Sequence, residues 1–297
     1  MIKYDWRTSL HADESAELAE MLGRAAAYDA EPEYTTIDYR DVERTMAQPD
    51  SGFHHLLIWM LPHATALGAP DHPERLAGLL RLTPVRDGVS EASIVIDPDL
   101  RSIGIVTLLL ERIGLQTSPP DGLLGTRAQT VTAWARGNHP ATGRISNRFL
   151  IPRTRRVWKL IRAVGSVDEI SGAPVLEPVT GSSLQDLGWP GQDATGDGHA
   201  LRQNGSVTGV VGLDLSPVRS EEFGSCATVQ WMATAPHADR RTRRQLLDGA
   251  AATEQEAGLA GLIIHVDSDD AALVNACRLA GFQHDRTDVL LQLGGQP

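Results

Sequence analysis

The stretch VIDPDLRSIGIVTLLLERIG, residues 95–114, begins with an apolar run typical of a buried strand and ends with an apolar run typical of a helix. A turn that contains Arg101 and Gly104 joins the two. A helix that opens directly after a strand presents free backbone N–H groups, and these groups and the helix dipole favour an anion. Glycine lets the backbone approach such an anion closely, and arginine can add a charge-assisted contact. The stretch therefore predicts an α/β unit whose turn can hold a phosphate.

The composition is that of an ordinary globular protein. Of the 297 residues, 41% are hydrophobic and 22% are charged, and the length favours two domains. No apolar run reaches the roughly 18 residues that cross a membrane, and the first residues lack the apolar core of a signal peptide, so we expect a cytoplasmic protein. A net charge of -11 argues against nucleic-acid binding. Cys226 and Cys277 are the only cysteines, and we predict neither a disulfide framework nor a metal site.

An internal repeat is the most informative feature of the chain. Residues 95–113 align with ATAPHADRRTRRQLLDGAA, residues 233–251, when Pro98 is set on Pro236. Alternating strand and helix patterns surround both copies, so we expect two copies of one mixed α/β unit. The expected organisation is an N-terminal domain (1–163), a linker (164–175) and a C-terminal domain (176–297).

The turn after the first of these strands resembles a known phosphate-binding loop. Residues 101–106, Arg-Ser-Ile-Gly-Ile-Val, are similar to the R/Q-x-x-G-x-G/A loop with which Gcn5-related N-acetyltransferases (GNATs) bind the pyrophosphate of coenzyme A. The order of the surrounding strands and helices also follows this family. The resemblance implies two tandem GNAT-like acyl-CoA N-acyltransferase domains with a mixed α+β sheet, acetyl-CoA or a related acyl-CoA as cofactor, and a small-molecule or peptide amine as acceptor. The cofactor-binding residues that it implies are Ile94, Val95, Ile96, Arg101, Ser102, Ile103, Gly104, Ile105 and Val106.

The chain also resembles tandem members of the family, the mycothiol synthases, over nearly its whole length. In that group the C-terminal half performs the chemistry, with a glutamate as base and a tyrosine as acid. Those positions fall here on Thr228 and Cys277, and Thr242 and Arg244 replace the loop glycines. We therefore expect a degenerate coenzyme loop in the C-terminal domain, a cofactor in the N-terminal domain, and a product other than mycothiol.

Two side chains near the first loop are candidates for catalysis. Acyl transfer to an amine needs a group that takes a proton from the nitrogen. Glu91 begins the strand before the loop, where the alternative is a solvated residue at the start of a strand. His139 begins a later helix, and a helix N-terminus disfavours its charged form, so it is a candidate neutral base. Two functions stay open: an N-acetyltransferase, or a degenerate tandem protein that binds a ligand or partner without turnover.

Overall fold

A computed structural model shows the architecture of two compact units. An N-terminal unit comprises Met1–Arg155 together with Asp288–Pro297, and a C-terminal unit comprises Arg156–Thr287. The first unit thus ends before residue 163 and includes the end of the chain. Of the expected linker, residues 164–171 lie outside the described part. The structure describes residues 1–30, 34–62, 74–163, 172–180, 184, 187, 189 and 198–295.

The N-terminal unit is a sheet with helices on both faces. Its strands are β1 (Ile2–Arg7), β2 (His54–Met60), β3 (Arg75–Arg86), β4 (Val89–Ile96) and β5 (Thr130–Ala135). Its helices are α1 (Ala12–Asp29), α2 (Tyr39–Met46), α3 (Ile105–Ile113) and α4 (Pro140–Arg148). Strands β1 to β4 pair antiparallel in chain order, and β5 lies parallel to β4.

Two hydrophobic layers fix the helices of this unit on the sheet. Apolar residues at helical spacing on α1, among them Leu18 and Met21, pack with Leu57 and Val95 on one face of the sheet. On the other face, Leu109 of α3 packs with residues of the neighbouring strands. Successive side chains of a strand point to opposite faces, so β4 contributes to both layers.

The C-terminal unit repeats this plan. Its strands are β6 (Arg153–Ala163, in this unit from Arg156), β7 (Glu177–Val179), β8 (Gly198–Gln203), β9 (Ser206–Ser220), β10 (Gly224–Thr234), β11 (Gly261–Asp267) and the start of β12 (Gln283–Gly294). Its helices are α5 (Arg241–Glu256) and α6 (Ala271–Leu279). Strands β10 and β11 are parallel, as β4 and β5 are in the first unit. Cys277 lies in the core of this unit, where burial raises the pKa of its thiol to about 12, so it packs as a small apolar residue.

The last strand of each predicted domain belongs to the other unit. Strand β6 ends at the boundary of the predicted N-terminal domain (1–163), yet it pairs with β11, from Ala163–Gly261 to Val157–Asp267. The N-terminal unit is instead closed by β12, which pairs antiparallel with β5. Hydrophobic periodicity predicts that a segment is a strand but not its neighbour, so this exchange could not be predicted from the pattern.

The strand and helix predicted within residues 95–114 are confirmed as β4 and α3, whereas β1 was not predicted. Its sequence, IKYDWR, alternates strictly between apolar and polar residues, so the local signal of a half-buried strand was present and was overlooked. Within the described ranges, no helix is both long enough and apolar enough to cross a membrane.

An ionisable side chain lies in the core of the C-terminal unit. Glu254 of α5 is fully buried, and neither carboxyl oxygen makes a well-aligned hydrogen bond within the described residues. Burial raises the pKa of this carboxyl to about 7, although the nearby backbone N–H groups of Ala227 and Gly261 and the charge of Arg162 oppose the shift. The core therefore favours the neutral acid.

The stability of the protein should consequently depend on pH through Glu254. Its folded pKa lies above the unfolded value of about 4.3, so the stabilisation is complete below pH 4 and is lost as pH rises toward 7. Between pH 5.5 and 8 the wild type should lose about 2 kcal/mol that Glu254→Gln does not lose. Urea unfolding at both pH values measures this difference. Glu256→Gln, on an exposed part of the same helix, should keep the wild-type slope; equal slopes in wild type and Glu254→Gln would contradict the assignment.

Candidate functional site

The candidate site begins where β4 and β5 separate. The two parallel strands pair over three positions, ending at Glu91–Thr132, while β4 continues to Ile96. Beyond Glu91, the described residues place no strand against this edge of β4. A gap therefore opens between the two strands toward their carboxyl ends.

Backbone hydrogen-bonding groups of β4 face this gap. The N–H of Asp97 donates to the carbonyl of Ala77 at 2.9 Å, which places Asp97 on the β3 side. Because the hydrogen-bonding direction alternates along an antiparallel strand, the N–H and C=O groups of Ile94, the C=O of Ala92 and the N–H of Ile96 point to the opened edge. The Ile94 side chain is 40% exposed there, whereas the Val95 side chain lies in the core.

The loop after β4 presents an open helix N-terminus. Ser102 has φ of 67° and Gly104 has φ of 88°, both left-handed, and α3 begins at Ile105 without a side-chain cap. A Cβ atom added to Gly104 would meet no atom within 4 Å. Ser102, Ile103 and Gly104 are exposed, and their N–H groups donate to no group in the described part of the chain. The free amides that the sequence predicted at this turn are therefore present.

Val106, the departure from the family's glycine or alanine, does not obstruct this loop. Its side chain packs against the core cluster that contains Ile105 and Leu109. The valine therefore lies on the sheet side of α3, and its backbone N–H belongs to the unpaired first turn.

Arg101 forms a different interaction from the one predicted. Its Nη1 and Nη2 donate to the two carboxylate oxygens of Asp29, at 2.6 and 2.8 Å, and its Nε donates to the carbonyl of Ile96 at 3.1 Å. The guanidinium also lies over the ring of Tyr28. Hydrogen bonding to Asp29 raises the pKa of Arg101. Its charge is thus compensated inside the unit. The sequence could not show this, because Asp29 lies 72 residues away.

Asp97 anchors the start of the same loop. This carboxylate is fully buried and accepts from Arg24 at 2.7 Å and from the N–H of Asp99 at 3.0 Å, and Arg75 lies at 3.1 Å. Burial opposes ionisation, but these donors outweigh it and hold the pKa of Asp97 below its usual value. Arg24 belongs to α1 and Arg75 to β3, so both elements fix the end of β4.

His139 caps α4, the helix that follows β5. Its Nδ1 accepts the N–H of Ala141 at 3.1 Å, and the ring of Tyr34 packs edge-on at 4.8 Å. Burial and the nearby charge of Arg101 lower the pKa of His139. The neutral ring with Nδ1 as acceptor carries its proton on Nε2. In this tautomer the other ring nitrogen, Nε2, is a hydrogen-bond donor.

Glu91 lies at the point where the strands separate. It is half-buried and occupies the last paired position between β4 and β5. By strand alternation it shares a face with Val95, which packs beneath α1 and α2. A carboxylate at this position is available to a molecule that enters the gap from that face.

Sequence reasoning missed Asp288, which holds the turn before His139. This fully buried residue accepts the N–H of Gly137 at 2.9 Å and a guanidinium N–H of Arg136 at 2.8 Å. Gly137 and Asn138 both have positive φ, a conformation that needs support from its surroundings. Asp288 belongs to β12, 151 residues from Gly137, and only the strand exchange places it beside this turn, so no local pattern predicted it.

The equivalent loop of the C-terminal unit is closed. In the repeat alignment Arg243 matches Ile105, the first residue of α3, yet α5 already begins at Arg241. Asp239 accepts the N–H of Arg241 at 3.1 Å through its carboxylate and the N–H of Thr242 at 2.9 Å through its carbonyl. Thr242 itself is fully buried. The first turn of α5 and the Asp239 acceptor thus occupy the positions whose N–H groups are exposed in the N-terminal unit.

Asp270 shows that the acidic run after β11 is a helix cap. It precedes α6, and its carboxylate accepts the N–H of Leu273 at 2.9 Å. The Asp270 carboxylate therefore satisfies a free N–H of the first turn of α6.

Comparisons with known proteins show the same architecture. No protein-family model matches the chain. A curated mycothiol acetyltransferase of Saccharomonospora viridis is 23% identical over an alignment of 327 residues, covering 97% of this chain and 98% of its own. A tandem GNAT protein from the clavulanic acid biosynthesis pathway superposes with a TM-score of 0.59 over the whole of both chains at 12% identity. A GCN5-related N-acetyltransferase from Sphaerobacter thermophilus gives 0.53 at 13% identity, over 97% of this chain and 95% of its own. The predicted tandem GNAT fold is confirmed.

The support of the His139 turn can be tested through stability. Asp288→Ala leaves the buried donors of Arg136 and Gly137 without this acceptor and should lower the free energy of unfolding by about 2–3 kcal/mol, since Arg136 is partly solvated. Asp288→Asn keeps an oxygen for Gly137 and should lose less. Urea unfolding measures both, with the exposed Asp121→Ala as control. A loss no greater than that of Asp121→Ala would contradict the role of Asp288.

Proposed function

We propose that this distant tandem GNAT is an N-acyltransferase that takes acetyl-CoA, or a related acyl-CoA, into its N-terminal unit and transfers the acyl group to an amine. The observation that supports this most directly is the open N-terminus of α3 beside the gap between β4 and β5. The GNAT relatives and structural neighbours support the reaction class. The acceptor would be a small-molecule amine or a peptide amine.

The loop would hold the diphosphate through backbone amides. The N–H groups from Ser102 to Val106 are grouped at one helix end, where the dipole favours negative charge. Ile103 is 58% exposed and Ile94 is 40% exposed, so apolar surface is available beside the loop and along the gap. Such surface suits the aliphatic arm of the cofactor, while Ala92 and Ile94 offer backbone groups to its amides.

Two side chains of the unit would assist the transfer. A bound acyl-CoA would supply an activated thioester. As the amine nitrogen bonds to the acyl carbon, the C–S bond would break, and coenzyme A would leave as a thiolate that takes a proton from solvent. Glu91 would take the proton that the nitrogen loses. His139 would donate its Nε2–H to the oxygen on which charge develops, because its Nδ1 is already engaged by Ala141.

A tandem protein that binds without turnover is the second candidate. Two observations favour it: Asp239 closes the C-terminal loop, and the charge of Arg101 is compensated by Asp29. Binding and turnover are therefore tested separately.

Binding should be detectable through thermal stability. Acetyl-CoA at about 100 times its dissociation constant should stabilise the wild type by about 2.7 kcal/mol. Gly104→Glu should abolish this shift, because its carboxylate would occupy the position of the anion. Gly205→Glu, in the exposed turn between β8 and β9, is the control, since Gly205 also has positive φ and open space around it. If acetyl-CoA still shifts the thermal stability of Gly104→Glu, the binding site lies elsewhere. If millimolar acetyl-CoA does not shift the wild type, the proposal is refuted.

Turnover should depend on Glu91 and His139. Release of coenzyme A in the presence of an amine library should fall about 100-fold in kcat for Glu91→Gln and for His139→Ala, while the acetyl-CoA thermal shift is retained. Glu111→Gln is the control, because that glutamate pairs with Arg148 at the far end of α3. Wild-type binding without release for any amine would favour the non-catalytic candidate, and unchanged kcat in both variants would remove these residues from the mechanism.

A further inference from the structure

We propose that Arg101 is a positioning residue, and that its pair with Asp29 holds the loop after β4 in the conformation that leaves the N-terminus of α3 open. The inference rests on the proposed function for its effect on acyl-CoA. It differs from the role that the resemblance implies, a direct contact between Arg101 and phosphate.

The nitrogen atoms of Arg101 that could donate to a diphosphate already donate to groups of the protein. Both Nη atoms donate to the two oxygens of Asp29 in a bidentate pair, and Nε donates to Ile96. The Asp29 side chain is 8% exposed and the Arg101 side chain 24% exposed, so the pair is largely shielded from solvent. Removing Arg101 from Asp29 would leave a buried carboxylate without its cation, which is costly.

The pair connects three parts of the fold. Asp29 is the last residue of α1, and its carbonyl also accepts the N–H of Tyr34. Ile96 is the last residue of β4, so Arg101 closes the loop onto the strand from which it leaves. The backbone at Arg101 is extended, and the next residue, Ser102, is left-handed. A left-handed serine is unfavourable by itself and persists only where its neighbours are fixed.

The second copy of the motif shows the loop without this clamp. The position of Arg101 is taken by Asp239, and the position of Ser102 by Arg240, whose φ of -55° and ψ of -23° are helical. In the C-terminal unit α5 begins two residues earlier than the alignment with α3 predicts, and the carboxylate of Asp239 accepts an N–H of its first turn. One chain thus contains both outcomes, an open loop with an arginine clamp and a closed loop with an aspartate cap.

The decisive experiment compares Asp29→Asn, Arg101→Lys and the double variant Asp29→Asn/Arg101→Lys with the wild type, using coenzyme A in calorimetry and acetyl-CoA in kinetics. If Arg101 positions the loop, only about a tenth of the molecules of each single variant should keep the open loop. Because apparent affinity falls in proportion to this fraction, each variant should bind coenzyme A roughly tenfold more weakly. KM for acetyl-CoA should rise while kcat is unchanged, and the double variant should be no worse than the single ones. Asp13→Asn, the same change on an exposed part of α1, is the control.

A direct phosphate contact predicts the opposite ranking. Asp29→Asn would then free the guanidinium and leave binding unchanged or tighter, and Arg101→Lys would retain most of it through its charge. Either result would overturn the inference.

Hydrogen exchange of the ligand-free proteins separates this inference from the proposed function. The N–H groups of Leu100 and Arg101 donate within the loop, to Asp97 and Pro98, and should exchange faster in Asp29→Asn and Arg101→Lys. Unchanged exchange in both variants would overturn the clamp even if coenzyme A binds. If the wild type does not bind coenzyme A, the proposed function is refuted. The hydrogen-exchange result would still decide whether the pair of Asp29 and Arg101 holds the loop.

Discussion

The parting of β4 and β5 after Glu91 is the constraint on which the rest of the N-terminal unit depends. A strand inside a sheet satisfies its backbone groups on both edges, whereas the described residues give β4 a neighbouring strand on only one edge over its last five residues. The helix that follows begins without a cap. Unsatisfied donors and acceptors thus occur along the gap and at its end, in the arrangement that a ligand with both amide and phosphate groups could satisfy.

Buried carboxylates keep this opening in place. Asp97 fixes the end of β4, Asp29 fixes the loop through Arg101, and Asp288 fixes the turn that precedes His139. Each accepts from at least one arginine, so the guanidinium groups of those arginines serve the protein itself. The chain has a net charge of -11, which repels an anionic ligand at long range. Attraction would have to come at short range, from amides that are oriented before the ligand arrives.

Local patterns in the sequence determined how much could be predicted. Residues 95–114 gave the strand, the turn and the helix correctly, because apolar periodicity and the glycine at position 104 are local properties. The internal repeat predicted the tandem architecture, because the strand and helix patterns of both copies are also local properties. The exchange of β6 and β12 between the units was missed, since alternation does not record which strand is the neighbour. The partners of Arg101 and Gly137 were missed because they lie 72 and 151 residues away in the chain.

The two copies of the motif also explain why sequence similarity at a loop is a weak guide to the function of its arginine. An arginine five residues after the end of a strand can reach either outward to an anion or back to the carbonyl of that strand, and the spacing is the same in both cases. A buried acid within reach decides between them, because a bidentate pair with a shielded carboxylate is more favourable than a solvated guanidinium. Asp29 provides that acid in the N-terminal unit. The open helix end then depends on the arginine indirectly, through the conformation of Ser102. In the proposed function the backbone would recognise the phosphate, and a sequence motif specifies that backbone only through its glycine.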